Sequence, residues 1–150
     1  MQDQPTEAQI DVAKRLETAI RQRNPELVES AVSATFPTPH PIQAPALILL
    51  AEASWHQRHE DVVLALQDLR CPDAVGALER TIFSVHEYLA YDEHFGLARK
   101  CTWALADIGT PEAHQALTRI ANYNNPTIAG YARKRLDNWQ TELPRKGFTL

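Results

Sequence analysis

The sequence predicts an all-α fold, an α-solenoid of antiparallel helix pairs with about eight helices. Three observations predict it. Apolar residues recur three and four positions apart through most of the chain, and no stretch alternates with period two between turn residues. Segments restart on one device, a residue followed by proline, at Asn24-Pro25, Cys71-Pro72, Thr110-Pro111 and Asn125-Pro126. Part of the sequence also repeats at an offset of 39 residues, a period proper to stacked helix pairs.

The first helix is expected over 6–23. Thr6 and Gln9 form a capping-box pattern, and Ile10, Ala13, Leu16 and Ile20 follow at helical spacing. Asn24 caps a second helix, with Pro25 at its first position, running to about Thr35. Three closely spaced prolines make FPTPHP, residues 36–41, an extended connector. Further helices are expected at about 44–54, 58–69, 72–87, 95–108, 111–122 and 126–141. Thr110 and Asn125 are good caps and Cys71 is a poor one. The short connections force neighbouring helices to run antiparallel.

The repeat aligns LALQDLRCPDAVGALERTI, from Leu64, with WALADIGTPEAHQALTRIA, from Trp103. Leu66 meets Leu105, Asp68 meets Asp107, Leu69 meets Ile108, Pro72 meets Pro111 and Leu78 meets Leu117. An incomplete third copy, IAGYARKRLDNW, sets Ile128, Ala132, Leu136 and Trp139 at the spacing of Leu97, Cys101, Leu105 and Ile108. The expected core includes Leu66, Leu69, Leu78, Ile82, Leu97, Cys101, Leu105, Ile108, Leu117 and Leu136. Trp103, whose counterpart is Leu64, is expected to be buried between repeats. The chain divides into one domain, 1–150: capping helices over 6–35, repeats over 44–141 and a tail over 142–150.

Composition sets the outer limits. The chain has 150 residues, 44% hydrophobic and 23% charged, which excludes wholesale disorder and a fibrous repeat. The longest apolar run, Ala44 to Ala53, is interrupted by Pro45 and Glu52 and is too short to span a bilayer. The polar opening MQDQPTEAQ does not read as a secretory signal, so a cytoplasmic location is expected. Cys71 and Cys101 are neither a disulfide framework nor a CxxC pair, and read as small hydrophobes. The net charge of −4 argues against a nucleic-acid binder. Residues 44–98 hold three arginines against nine carboxylates, whereas 99–150 hold eight basic residues against four acidic. The acidic middle suits a basic partner.

The strings ALADIGTPEAHQAL and ALQDLRCPDAVGAL resemble the bacterial short HEAT-repeat pattern, an Ala/Leu-rich helix ending at Gly or Asp, then a proline, then an apolar helix. The resemblance covers about 44–139. It departs at Arg70-Cys71, which stands where the second copy has Gly109-Thr110, so that turn is expected to be less regular. HEAT-like arrays are mostly protein-binding scaffolds, with lyases, hydroxylases and DNA glycosylases among them. The chain is also similar to small, acidic, single-domain HEAT-like proteins that serve as cytoplasmic immunity proteins against polymorphic toxins.

Two segments carry candidate chemistry. WHQRHED puts His56, His59 and Glu60 within one helical turn, where two histidines three apart could hold a transition metal. RHEDVVLAL resembles the His-Glu motif of HEAT-repeat deoxyhypusine hydroxylases, which bind two irons. The companions that motif needs are missing: the equivalents of His59 and Glu60 are Ala98 and Arg99, then Ala129 and Gly130. An ordinary polar helix start also accounts for the segment. HEYLAYDEHF, the longest connection, offers Tyr88, Tyr91, Asp92, Glu93 and His94 either as a partner surface or as a loop packed on its neighbours. Arg99 or Lys100 is expected to pair with Asp92 or Glu93.

The expected function is a non-enzymatic protein-binding module, an immunity protein that neutralises a basic toxin domain. No cofactor, metal, nucleic acid or membrane is expected to take part. Its surface gathers Trp55, His56, His59, Glu60, Asp61, Tyr88, Tyr91, Asp92 and Glu93. The alternative is a metal-dependent or lyase-like HEAT-repeat enzyme, or an enzyme accessory, using His56, His59 and Glu60.

Overall fold

Eight α-helices, stacked as four antiparallel hairpins in two layers, make up the fold of the computed structural model, which describes residues 3–148. The first hairpin is α1 (Glu7–Gln22) and α2 (Pro25–Thr35); the second is α3 (Ala44–Glu52) and α4 (His59–Leu69). The third is α5 (Val75–Ile82) and α6 (Phe95–Ile108), and the fourth α7 (Pro111–Ala121) and α8 (Pro126–Asp137). Short 3-10 turns precede α3, α5 and α6, and another lies at 143–145. No strand occurs among the described residues, and none of their helices is long and apolar enough to cross a membrane.

Helix starts follow the capping chemistry of the sequence. Thr6 Oγ1 accepts from the Gln9 amide and the Gln9 side chain accepts from the Thr6 amide. Asn24, Thr110 and Asn125 cap α2, α7 and α8 through their side-chain oxygens. Cys71 makes no such bond, and the turn after it is 3-10 before α5 begins. Arg70, with φ 48°, still adopts the left-handed conformation that Gly109 takes at φ 80°. The turn geometry is repeated, at a cost of about 1–2 kcal/mol for a residue with a Cβ.

Two expected helices stop early. The helix predicted through residue 87 ends at Ile82, where Ser84 Oγ bonds the Thr81 carbonyl and the Phe83 amide bonds back to Arg80. That predicted through 141 ends at Asp137, after which Trp139 turns inward against the His114 ring.

Within each hairpin the helices pack on each other, and successive hairpins pack helix on equivalent helix. One layer runs α1–α3–α5–α7, the other α2–α4–α6–α8. Three side-chain links join residues 40 apart: Glu60 to Lys100, Gln67 to Asp107 and Glu79 to Arg119. They tie adjacent hairpins at positions one residue off the 39-residue repeat register. The core between the layers buries Leu66, Leu78, Ile82, Leu97, Cys101, Leu105, Ile108 and Leu117, as expected, with Leu69 and Leu136 half-buried against it.

Trp103 is a correction. It is half-exposed on α6, and its counterpart Leu64 is 42% exposed. The indole is covered in part by the next hairpin, whose Arg135 on α8 lies 3.5 Å from the ring centre, and in part by Arg145 at 4.6 Å. Arg145 belongs to the C-terminal segment 143–148, which crosses back over the end of α6. There the Gly147 and Phe148 amides donate to the Asp107 and Ile108 carbonyls, and Lys146 Nζ donates to the Ala106 carbonyl. Of the predicted tail, residues 149 and 150 lie outside the described residues.

Candidate functional site

The connections inside the four hairpins fall on one edge of the stack. Arg23 at the first lies 6.0 Å from the Trp55 ring at the second, and Phe83 at the third lies 4.5 Å from the Tyr123 ring at the fourth. A cleft of about 520 Å³ opens here, lined among others by Glu29, Trp55, His56, Arg58, His86, Glu87 and Tyr88.

Its floor is a ladder of imidazoles. The His56 and His59 rings stack at 4.1 Å, and His59 and His86 at 3.8 Å, with interplanar angles of 18° and 25°. All three side chains are buried. His56 Nε2 donates to the Leu50 carbonyl at 2.7 Å, and its Nδ1 accepts from the Arg58 amide at 3.0 Å. His59 Nε2 donates to the Ala53 carbonyl, and its Nδ1 accepts from the Tyr88 hydroxyl at 2.7 Å. A carbonyl can only accept, so both rings carry their proton on Nε2 and are neutral.

Burial pushes the proton affinity of all three histidines below the ordinary range. For His59 the pKa falls to about 3: burial lowers it, the Ala53 bond opposes, and His56 and His86 lower it further. In His56 burial outweighs the bond to Leu50, and in His86 burial acts together with His94. Burial raises the Tyr88 phenol, against the bond from the His59 amide. His86 Nε2 is buried without a hydrogen-bond partner.

In this geometry the two histidines of WHQRHED do not present their nitrogens to a common point. Both ring nitrogens of His56 and of His59 are already bonded to protein atoms, and stacked rings do not converge their lone pairs on one point. No group of three potential ligands that could hold a metal occurs among the described residues.

The predicted surface divides. His56 and His59 are interior and present no surface to a partner. Trp55 and Tyr88 are half-buried along the cleft, and Tyr91, outside its lining, stands 78% exposed on the same connection as Tyr88. Glu60 is held by Lys100 at 2.6 Å and Asp61 by Arg58 at 2.8 Å. Lys100 therefore pairs with Glu60 and not with Asp92 or Glu93, as the sequence suggested. Asp92 is occupied locally, its two oxygens accepting from the His94 and Gly96 amides at the start of α6. Glu29, Glu87 and Glu93 make no ion pair among the described residues.

The sequence did not single out Val85, 80% exposed beside the cleft, or the exposed pair Phe83 and Tyr123. One signal was present: apolar side chains in hairpin connections, where polar residues are the norm. No protein family, no curated protein and no solved structure matches this chain.

Proposed function

We propose that the protein is a non-enzymatic protein-binding module whose hairpin-loop edge docks a basic protein. One observation carries this reading: exposed Val85 lines a cleft whose rim holds the unpaired carboxylates Glu29 and Glu87, and Tyr91, three residues after Tyr88 on the same connection, is also exposed. Large side chains exposed beside a cleft are typical anchors, and unpaired rim charges speed encounter with a partner of opposite sign. Trp55 and Tyr88 on the cleft wall would take a partner's lysine or arginine between ring and carboxylate.

The resemblance to HEAT-like immunity proteins gives the partner a class, a basic bacterial toxin domain met in the cytoplasm. The test is binding kinetics against the product of the neighbouring reading frame. Nanomolar affinity that weakens with salt, and faster dissociation of Tyr91→Ala, support the reading. Absence of binding, or binding indifferent to Tyr91, Val85 and Glu87, overturns it.

A further inference from the structure

The layer α2–α4–α6–α8 changes sign along its length. α4 carries Glu60, Asp61 and Asp68, whereas α6 and α8 carry Arg99, Lys100 and Lys134, all at least partly accessible. Glu60 and Lys100 neutralise each other at the border. Beyond it lies a second cleft, of about 360 Å³, lined by Arg99, Thr102, Trp103, Tyr131, Lys134 and Arg135. No carboxylate of the described residues lines it.

Two nearby acids are already paired. Glu142 bonds Arg135 at 2.7 Å, and Asp107 is held by Arg145 at 2.8 Å and Arg70 at 3.5 Å. Arg99 and Lys134 make no ion pair among the described residues. The Tyr131 hydroxyl and the Trp103 indole N–H make no hydrogen bond among the described residues. The unused capacity of this cleft is therefore almost all donor: a guanidinium, an ammonium, an indole N–H and a phenol. The two unpaired positive charges sit on adjacent helices and line the same cleft.

We propose that the cleft between α6 and α8 binds a phosphate monoester. A guanidinium fork and an ammonium point charge are the usual pair of phosphate ligands. The dianion matches the two free cations in charge, and its three terminal oxygens match their donors with the indole and phenol to spare. A carboxylate offers one charge and two oxygens and fills the set only in part. The site lies on a helix-row face, not the hairpin-loop edge, and its ligand has the opposite sign to that of the partner proposed above.

The test is an amide and indole NMR titration of the intact protein at pH 7.5 in 150 mM NaCl. Inorganic phosphate, glycerol 3-phosphate and a phosphoserine pentapeptide are the probes, with sodium acetate as control. Saturable shifts confined to residues 99–103, 131–135 and the Trp103 indole are expected with all three, and not with acetate. The tighter of the last two probes assigns the source, a free metabolite or a modified side chain. Arg99→Gln with Lys134→Gln should weaken binding at least tenfold with an unchanged far-UV spectrum, whereas Arg99→Lys with Lys134→Arg should stay within about threefold and Arg21→Gln should change nothing. Non-saturable shifts, equal shifts with acetate, or indifference to the double Gln variant overturn the proposal.

Discussion

Gln67 donates from Nε2 to Asp107 Oδ2 at 2.8 Å, forty residues further along the chain, and Asp107 is fully buried. Arg145 adds two bonds to the same carboxylate, at 2.9 and 2.8 Å, and Arg70 approaches to 3.5 Å. One side chain thus joins the second hairpin, the third and the C-terminal segment.

Asp107→Ala removes the acceptor and leaves partly buried guanidinium groups uncompensated. The expected loss is about 1.5–3 kcal/mol, the range for hydrogen bonds to a charged group, because the part-exposed guanidinium groups can turn to water. Urea unfolding at pH 7 measures it; a loss under about 1 kcal/mol, the level of an exposed pair, refutes the hub. Burial raises this carboxyl, but Arg145, Gln67 and Arg70 together hold it below the usual range. Its contribution is therefore present above about pH 4 and lost as the pH falls through the lower, folded value.

Leu105→Ala empties a fully buried position at the centre of α6. A cost of about 2–5 kcal/mol is expected, a large part of a domain's stability. The equivalent change at half-buried Leu136 should cost clearly less in the same unfolding experiment.

The imidazole ladder makes stability fall with acid well before the carboxylates titrate. The folded chain keeps His56, His59 and His86 neutral, while the unfolded chain takes up protons near pH 6.5. Their contribution is complete above pH 6.5 and is lost as the pH falls toward the folded values, about 3 for His59. His59 alone should account for about 1–2 kcal/mol between pH 7.5 and 5. Urea midpoints across that interval test it, and a flat profile counts against the ladder. The His59 C2 proton should show no titration step above pH 5 by NMR.

Tyr91→Ala and Glu87→Gln with Glu93→Gln should each leave stability within about 0.5 kcal/mol, as surface changes do. On a docked basic partner they should separate: the first speeds dissociation, the second slows association and flattens its salt dependence. Asp92→Asn is the uninformative choice, because it also weakens the start of α6.

Gly109→Ala should loosen the C-terminal segment. The residue sits at φ 80°, and an added Cβ would meet the Phe148 carbonyl oxygen at 2.5 Å and Lys146 Cβ at 2.7 Å. Backbone conformation alone costs about 1–2 kcal/mol, and displacement of the segment adds to it. Faster amide exchange at Gly147 and Phe148 is the readout; unchanged protection there would mean that the segment does not depend on this approach.

Much of the fold was legible because its signals are local. α6 begins and ends where apolar spacing and Gly109 place it, and the 39-residue offset anticipates links 40 residues apart. The early end of α5 was not legible, since it allows His86 to reach His59 across 27 residues of chain. For the candidate site, charge counting found the region but not its depth. It grouped buried His59 with exposed Tyr91, counted Glu60 and Asp61 as free when Lys100 and Arg58 hold them, and paired Asp92 or Glu93 with a basic side chain when two backbone amides hold Asp92.

The return of the C-terminal segment also sets an order of events during synthesis. Arg145 is made 38 residues after Asp107, a delay of roughly 2–8 s at ordinary elongation rates. Through that interval a nascent α6 must either keep the Asp107 carboxylate wet, and so leave its own last turn unpacked, or bury it against Gln67 and Arg70 alone. The last hairpins of this stack therefore reach their final packing only after the ribosome has passed Arg145, and a chain released before that point would be left with the Asp107 carboxylate lacking its two bonds from Arg145.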